Sequence, residues 1–139
     1  MHFDHVGISV SDLDRATRWY TDAMDLHVDF AFAMEQFDFR GVMLISPAGY
    51  RIELLERAGS RPGLEAPDPL TAALTRGYGH MGLRVDDVDT TFRALLAAGA
   101  SERMAPRPAP EPGCRVAFVA DPDGNLIELL DRPAASGSS

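Results

Sequence analysis

Lysine is absent from this chain: all 13 basic residues are arginine. Schiff-base catalysis and phosphate capture by a P-loop lysine are therefore excluded. Cysteine occurs once, at Cys114, so no internal disulfide can form. With no resolving cysteine and no adjacent histidine, a catalytic thiol is not expected, and a reducing, cytoplasmic setting is. No apolar run approaches the roughly 20 residues that a membrane helix needs. The opening residues carry no basic stretch followed by an apolar core, so neither secretion nor a membrane partner is expected. Positive charge is also short: 21 acidic side chains outnumber the 13 basic ones, for a net charge of −8 at pH 7. A nucleic-acid partner requires the opposite balance. What remains is 139 residues with 45% hydrophobic and 24% charged side chains, the composition of an ordinary folded domain with a real core.

The sequence repeats itself. A shift of 75 residues sets His5-Val-Gly-Ile-Ser-Val-Ser-Asp-Leu-Asp14 over His80-Met-Gly-Leu-Arg-Val-Asp-Asp-Val-Asp89, with five of ten positions identical. The same shift sets Ser46-Pro-Ala-Gly-Tyr-Arg-Ile-Glu-Leu-Leu-Glu-Arg57 over Asp121-Pro-Asp-Gly-Asn-Leu-Ile-Glu-Leu-Leu-Asp-Arg132, with seven of twelve identical. Two separate blocks sharing one offset indicate a duplicated half-domain. The copies span 1–57 and 79–132, joined by a linker over 58–78 rich in Gly, Pro and charge.

Each copy carries the same predicted elements. Residues 3–10 and 80–85 alternate as strands. Asp12 and its neighbours start a helix whose apolar face is Leu13, Ala16, Thr17, Tyr20 and Met24; Trp19 also suits helix packing better than a cofactor box. Val88, Phe92, Leu95 and Leu96 form the matching face of a second helix, and Gly99 stops it. Three strands follow in each copy, at about 27–35, 38–45 and 50–57, then 102–107, 114–120 and 125–132. Pro47-Ala48-Gly49 and Pro122-Asp123-Gly124 read as hairpin turns. A short helical run is expected at 70–74, a proline-rich extended loop at 105–113, and a disordered tail at 134–139. The fold class is thus α+β: two tandem β-α-β-β-β modules, one domain over 1–133, their sheets curved around a metal-binding cleft.

The duplication places four ligand-type residues in register. His5 and His80 match on the first strand of each copy, and Glu53 and Glu128 match on the last. Matched positions on matched strands share a face, so two sheets around one cleft can bring all four together. A single His at a strand start is normally a hydrogen-bonded edge residue. The glutamates are less ordinary, because Ile-Glu-Leu-Leu is apolar on both sides and carboxylates are rarely buried without a partner or a metal. Two imidazoles and two carboxylates suit a divalent ion such as Ni, Co, Mn, Fe or Zn, with coordination positions left for substrate. His2 and His27 lack a repeat partner and are expected at the surface.

The stretches His5–Asp14, Gly79–Val88 and Phe118-Val-Ala-Asp-Pro-Asp-Gly-Asn-Leu-Ile-Glu128 resemble the vicinal oxygen chelate superfamily over residues 3–132. That superfamily includes glyoxalase I, methylmalonyl-CoA epimerase, extradiol dioxygenases and bleomycin-resistance proteins. The resemblance implies a divalent metal held by His5, Glu53, His80 and Glu128. Extradiol members lack a carboxylate corresponding to Glu53, and epimerases place Gln there. Glutathione-dependent glyoxalase I carries the full set, together with an Arg and an Asn where this chain has Ser9 and Arg57. The implied activity is that of a metal-dependent lyase or isomerase acting on a small carbonyl substrate. In it the ion stabilises an enediolate or enolate, with Glu53 and Glu128 as the proton-transferring pair. The alternatives are a ring-cleaving dioxygenase and a small-molecule (antibiotic) binding protein without turnover. Members commonly form homodimers, and some build each site from two chains.

Overall fold

The computed structural model describes residues 1–133; the tail expected over 134–139 lies outside them. The chain divides into two compact units, with the boundary between Pro62 and Gly63, inside the expected linker. Both are β-α-β-β-β modules.

The first unit orders β1 (Val6–Ser9), α1 (Leu13–Met24), β2 (His27–Met34), a single 3₁₀ turn (Glu35–Phe37), β3 (Phe39–Ile45) and β4 (Arg51–Arg57). Its sheet runs β1-β4-β3-β2, with β1 parallel to β4 and the other pairings antiparallel. The Asp12 carboxylate caps α1, accepting the Arg15 N–H at 3.0 Å. The buried face of the helix is Leu13, Ala16, Trp19 and Tyr20, laid on Leu44, Ile52 and Leu54, which are fully excluded from solvent. Met24 is only half-buried, whereas Trp19 packs edge-on against Tyr20 at 4.8 Å between ring centroids. Truncating a core leucine of this kind to alanine costs about 2–5 kcal/mol. A polar clamp fixes the helix to the sheet. Glu56 accepts the Leu13 N–H at 2.6 Å and Arg40 Nε at 2.9 Å, and these bonds hold its carboxyl below the usual range, Arg40 contributing most.

The second unit begins with α2 (Pro69–Ala72) and continues with β5 (His80–Arg84), α3 (Val88–Ala97), β6 (Ser101–Pro108), β7 (Arg115–Ala120) and β8 (Leu126–Asp131). Its sheet order, β5-β8-β7-β6, repeats that of the first. Asp87 caps α3 through the Thr90 N–H at 2.7 Å, and Gly99 ends it with φ +105°. Val88, Phe92 and Leu95 are buried as expected. The clamp is repeated too: Arg115 grips both oxygens of Asp89 at 2.5 and 2.9 Å, while its N–H goes to Asp131 at 2.9 Å. Ala66 and Ala72 tuck the linker onto Ala120 and Leu126.

Two expectations need correction. Phe3 is 84% exposed and lies before β1, because the ladder with β4 pairs only Val6 to Ser9. The prolines at 106 and 108 do not end the strand before them. β6 runs to Pro108 because it is an edge strand, and an edge position need not donate its N–H to a ladder.

Candidate functional site

In the first unit, the parallel register sets Gly7 beside Glu53. Ile52 and Leu54 are fully buried toward α1, so alternation turns Glu53 to the opposite face of the sheet. His5 stands one residue before β1, its Nε2 at 3.7 Å from Glu53 Oε1. Its Nδ1 lies 2.7 Å from Asp4 Oδ2. That bond is the main cause holding the Asp4 carboxyl below the usual carboxylate pKa range.

The second unit repeats the pair. Gly82 lies beside Glu128, and His80, the first residue of β5, approaches Glu128 Oε2 through Nε2 at 3.0 Å. Phe118, opposite Glu128 on β7, meets the His80 ring edge-on at 5.0 Å. Met43 occupies the matching place opposite Glu53.

Each pair joins an imidazole and a carboxylate, donor types that suit a divalent ion. The two ring nitrogens of His5 face the carboxylates of Asp4 and Glu53, at 2.7 and 3.7 Å. A carboxylate on Nδ1 is the usual device that fixes the tautomer of a ligating histidine and raises its basicity. The Glu53 and Glu128 side chains are 21% and 26% exposed, and among the described hydrogen bonds neither carboxylate is taken up by an arginine or a backbone N–H. Their oxygens therefore remain available to a divalent ion. Within neither unit do three His, Cys, Asp or Glu side chains gather at ligating geometry among the described residues. Each unit brings together one imidazole and one carboxylate of the four.

Three residues near the pairs escaped the sequence reading of roles. Asp4 has Gly79 as its repeat counterpart, so the duplication gave no hint of it. Gly7 and Gly82 are identical in the repeat and lie directly under the carboxylates. A β-carbon on Gly7 would stand 3.7 Å from Glu53 Oε1, and one on Gly82 would stand 3.4 Å from Glu128 Oε2. His2 and His27 are exposed, as expected. Burial pushes the Cys114 thiol up, which leaves it unreactive. A separate cleft of about 460 Å³ in the second unit, between Ser101, Arg103 and Asp123, contains none of the four residues. No helix among the described residues is long and apolar enough to cross a membrane.

Comparison with known proteins places the chain in a family. A probable lactoylglutathione lyase of Vibrio parahaemolyticus is 27% identical over 135 residues, spanning 95% of this chain and 91% of the relative. A probable chloroplastic lactoylglutathione lyase of Arabidopsis thaliana is 28% identical over 131 residues, but the match spans only 35% of that longer protein. Among solved structures, a glyoxalase family protein of Enterococcus faecalis superposes with a TM-score of 0.78 at 18% identity, over 94% of this chain and 97% of that one. Glyoxalase I of Zea mays gives 0.73 at 23% identity, over 92% of this chain and 43% of the maize protein. At such identities the superpositions establish the fold alone. The sequence profile of the family matches residues 2–129, and the chain belongs to the Glyoxalase/Bleomycin resistance protein/Dioxygenase superfamily.

Proposed function

We propose that the protein is a divalent-metal-dependent lyase or isomerase of the glyoxalase type, acting on a small carbonyl substrate, with His5, Glu53, His80 and Glu128 as metal ligands. The observation that carries this reading is the His–Glu pair on the same face of each unit, at 3.7 and 3.0 Å. Each pair supplies one imidazole and one carboxylate of the four proposed ligands. The relatives named lactoylglutathione lyase, at 27–29% identity, support a lyase.

When bound, the ion supplies electrophilic stabilisation of a carbonyl oxygen. The protein supplies the rest. His5, held by Asp4, and His80, braced against Phe118, orient their Nε2 atoms. Glu53 or Glu128 takes the proton from the carbon next to the carbonyl, and the other returns one. Met43 and Phe118, both 5% exposed, stand opposite Glu53 and Glu128 in the strand register and give each carboxylate an apolar neighbour.

Elemental analysis tests the reading. Purified protein should hold close to one divalent ion per chain, and His80→Ala should lower the affinity sharply, because the remaining ligands leave the shell unbalanced. Equal metal content in the wild type and the variant refutes it.

A further inference from the structure

We propose that the cleft of the second unit binds a small zwitterion with an α-amino acid head group, its carboxylate on Arg103 and its ammonium on Glu65 and Asp123. The cleft measures about 460 Å³ and lies wholly within that unit. It opens where the linker, the start of β6 and the β7–β8 turn meet. It contains none of the four proposed metal ligands, and its binding does not depend on the metal.

A break in the β6 ladder delivers the cation. Glu102 pairs with Val119 and Met104 with Phe118, so Arg103 is the extra residue of a β-bulge, and a bulge re-aims the side chain it carries. Arg103 is half-buried and lines the cleft. Its Nε is shut off from solvent and has no hydrogen-bond partner, and none of the described hydrogen bonds or ion pairs takes its guanidinium. A buried donor left unpaired costs its full desolvation. A carboxylate in the cleft removes that cost, because it matches the guanidinium fork with two parallel bonds. The first unit shows the internally paired alternative. Its bulge falls at Asp29, between Val28 and Phe30, and Asp29 meets Arg51 at 3.0 Å. At the 75-residue offset Arg51 becomes Leu126, so the bulge of the second unit carries a charge that the fold does not answer.

The carboxylates around Arg103 decide the class of ligand. Asp121, 2% exposed, builds the wall: its Oδ1 accepts the N–H groups of Asp123 and Asn125, and its Oδ2 accepts Asn125 Nδ2, all at 2.9 Å. Gly124 closes that turn with φ +88°. Glu65 and Asp123 are exposed on the rim. A simple anion entering the cleft meets repulsion from these two, and a simple amine meets repulsion from Arg103. A molecule with a carboxylate and an ammonium on one carbon answers both charges at once. Ala66, Pro67 and Pro122 complete the lining and give an aliphatic side chain an apolar wall.

Amide chemical shifts of isotope-labelled protein test the site, with three ligands titrated to millimolar concentration. L-Leucine carries both charges, isocaproate is leucine without its ammonium, and isoamylamine is leucine without its carboxylate. Leucine should move the amides of Ser101, Arg103 and Gly124. It should bind at least about tenfold tighter than either fragment, a difference of about 1.4 kcal/mol, with equal affinity in zinc-loaded and metal-stripped protein. Arg103→Gln should lower leucine affinity at least about tenfold. Glu65→Gln, on the exposed linker, should narrow the gap between leucine and isocaproate by weakening the first and relieving the second. Equal affinity for leucine and isocaproate, no shift with any of the three, or leucine shifts that survive Arg103→Gln overturns the site. A leucine-to-isocaproate ratio untouched by Glu65→Gln does the same. So do shifts that centre on Gly7 and Gly82 and vanish with the metal, since leucine would then be chelating the ion.

Discussion

Gly82 offers a test in which fold and site respond in opposite directions. It sits within β5, paired beside Glu128, with no positive φ to require a glycine. Glycine in a strand weakens it by roughly 0.5–1 kcal/mol relative to alanine, and a β-branched residue suits a strand better still. On stability alone, Gly82→Val should raise the melting temperature. The site argues the other way. The added β-carbon would stand 3.4 Å from Glu128 Oε2, already at contact, and a valine methyl reaches about 1.5 Å further. Valine has one strongly preferred rotamer and cannot swing both methyls away, so the carboxylate must move by about an ångström.

A displacement of that size should lower metal affinity about 10–100-fold, the range seen when the groups that orient metal ligands are removed. Gly82→Ala should retain most of the affinity, because 3.4 Å is a contact the carboxylate tolerates with a small shift. Isothermal titration with a divalent metal, alongside thermal melting followed by circular dichroism, measures both quantities. The expected pattern is a melting temperature at or above wild type for both variants, with metal affinity lost in valine alone. A Gly82→Val protein that melts normally and binds metal as tightly as wild type refutes the reasoning, since Glu128 would then not be a ligand held at this position.

Glu53→Gln and Glu128→Gln should keep the fold yet lose proton transfer, each by roughly 10²–10⁴ in rate, read as solvent deuterium entering the carbon beside the substrate carbonyl. Glu53→Gln should be the milder change, in line with the glutamine that epimerases carry there, and undiminished exchange in the double variant refutes the two-carboxylate mechanism. The clamps predict an acid limb of stability: Glu56 and Asp89 have carboxyl pKa values below the ordinary range, each caused first by its arginine. Their stabilisation is present above the ordinary carboxylate value of about 4 and is lost as pH falls through the lowered folded values. Glu56→Gln should therefore melt below wild type at pH 7, with the gap closing on acidification; a gap independent of pH removes the clamp from the account. Light scattering at micromolar concentration should give twice the 15.1 kDa chain mass, because β2 and β6 are edge strands of their sheets and edges are commonly covered by pairing; a monomer mass refutes the dimer.

The repeat made the fold legible because offset and periodicity reinforce each other. His5 and His80 fix the first strands, Asp12 and Asp87 the helix starts, and Ile-Glu-Leu-Leu the last strand of each unit. What pattern could not show were features made by contact across the sheet. Arg40 meets Glu56 through the register of β3 on β4, and Arg115 meets Asp89 because α3 packs on β7, neither of which spacing along the chain reveals. The orienting bond from Asp4 lies in the half-copy without a counterpart. The extension of β6 through Pro106 and Pro108 depended on its being an edge strand, which only the strand order reveals.

The two copies keep what the backbone and the ligands require and diverge in what surrounds them. Helix caps, arginine clamps, hairpin turns and the glycines under the glutamates recur at the 75-residue offset. The residues braced against the histidines do not: His5 leans on a carboxylate and His80 on the edge of Phe118. An anionic partner raises the basicity of an imidazole, whereas an aromatic edge fixes its orientation with little charge. Glu53 therefore stands 3.7 Å from a histidine braced by a carboxylate, and Glu128 3.0 Å from one braced by an aromatic edge. Two carboxylates in unlike surroundings are what proton removal and proton return by separate groups require. The proposed division of proton removal and proton return between Glu53 and Glu128 rests on this divergence around a shared frame.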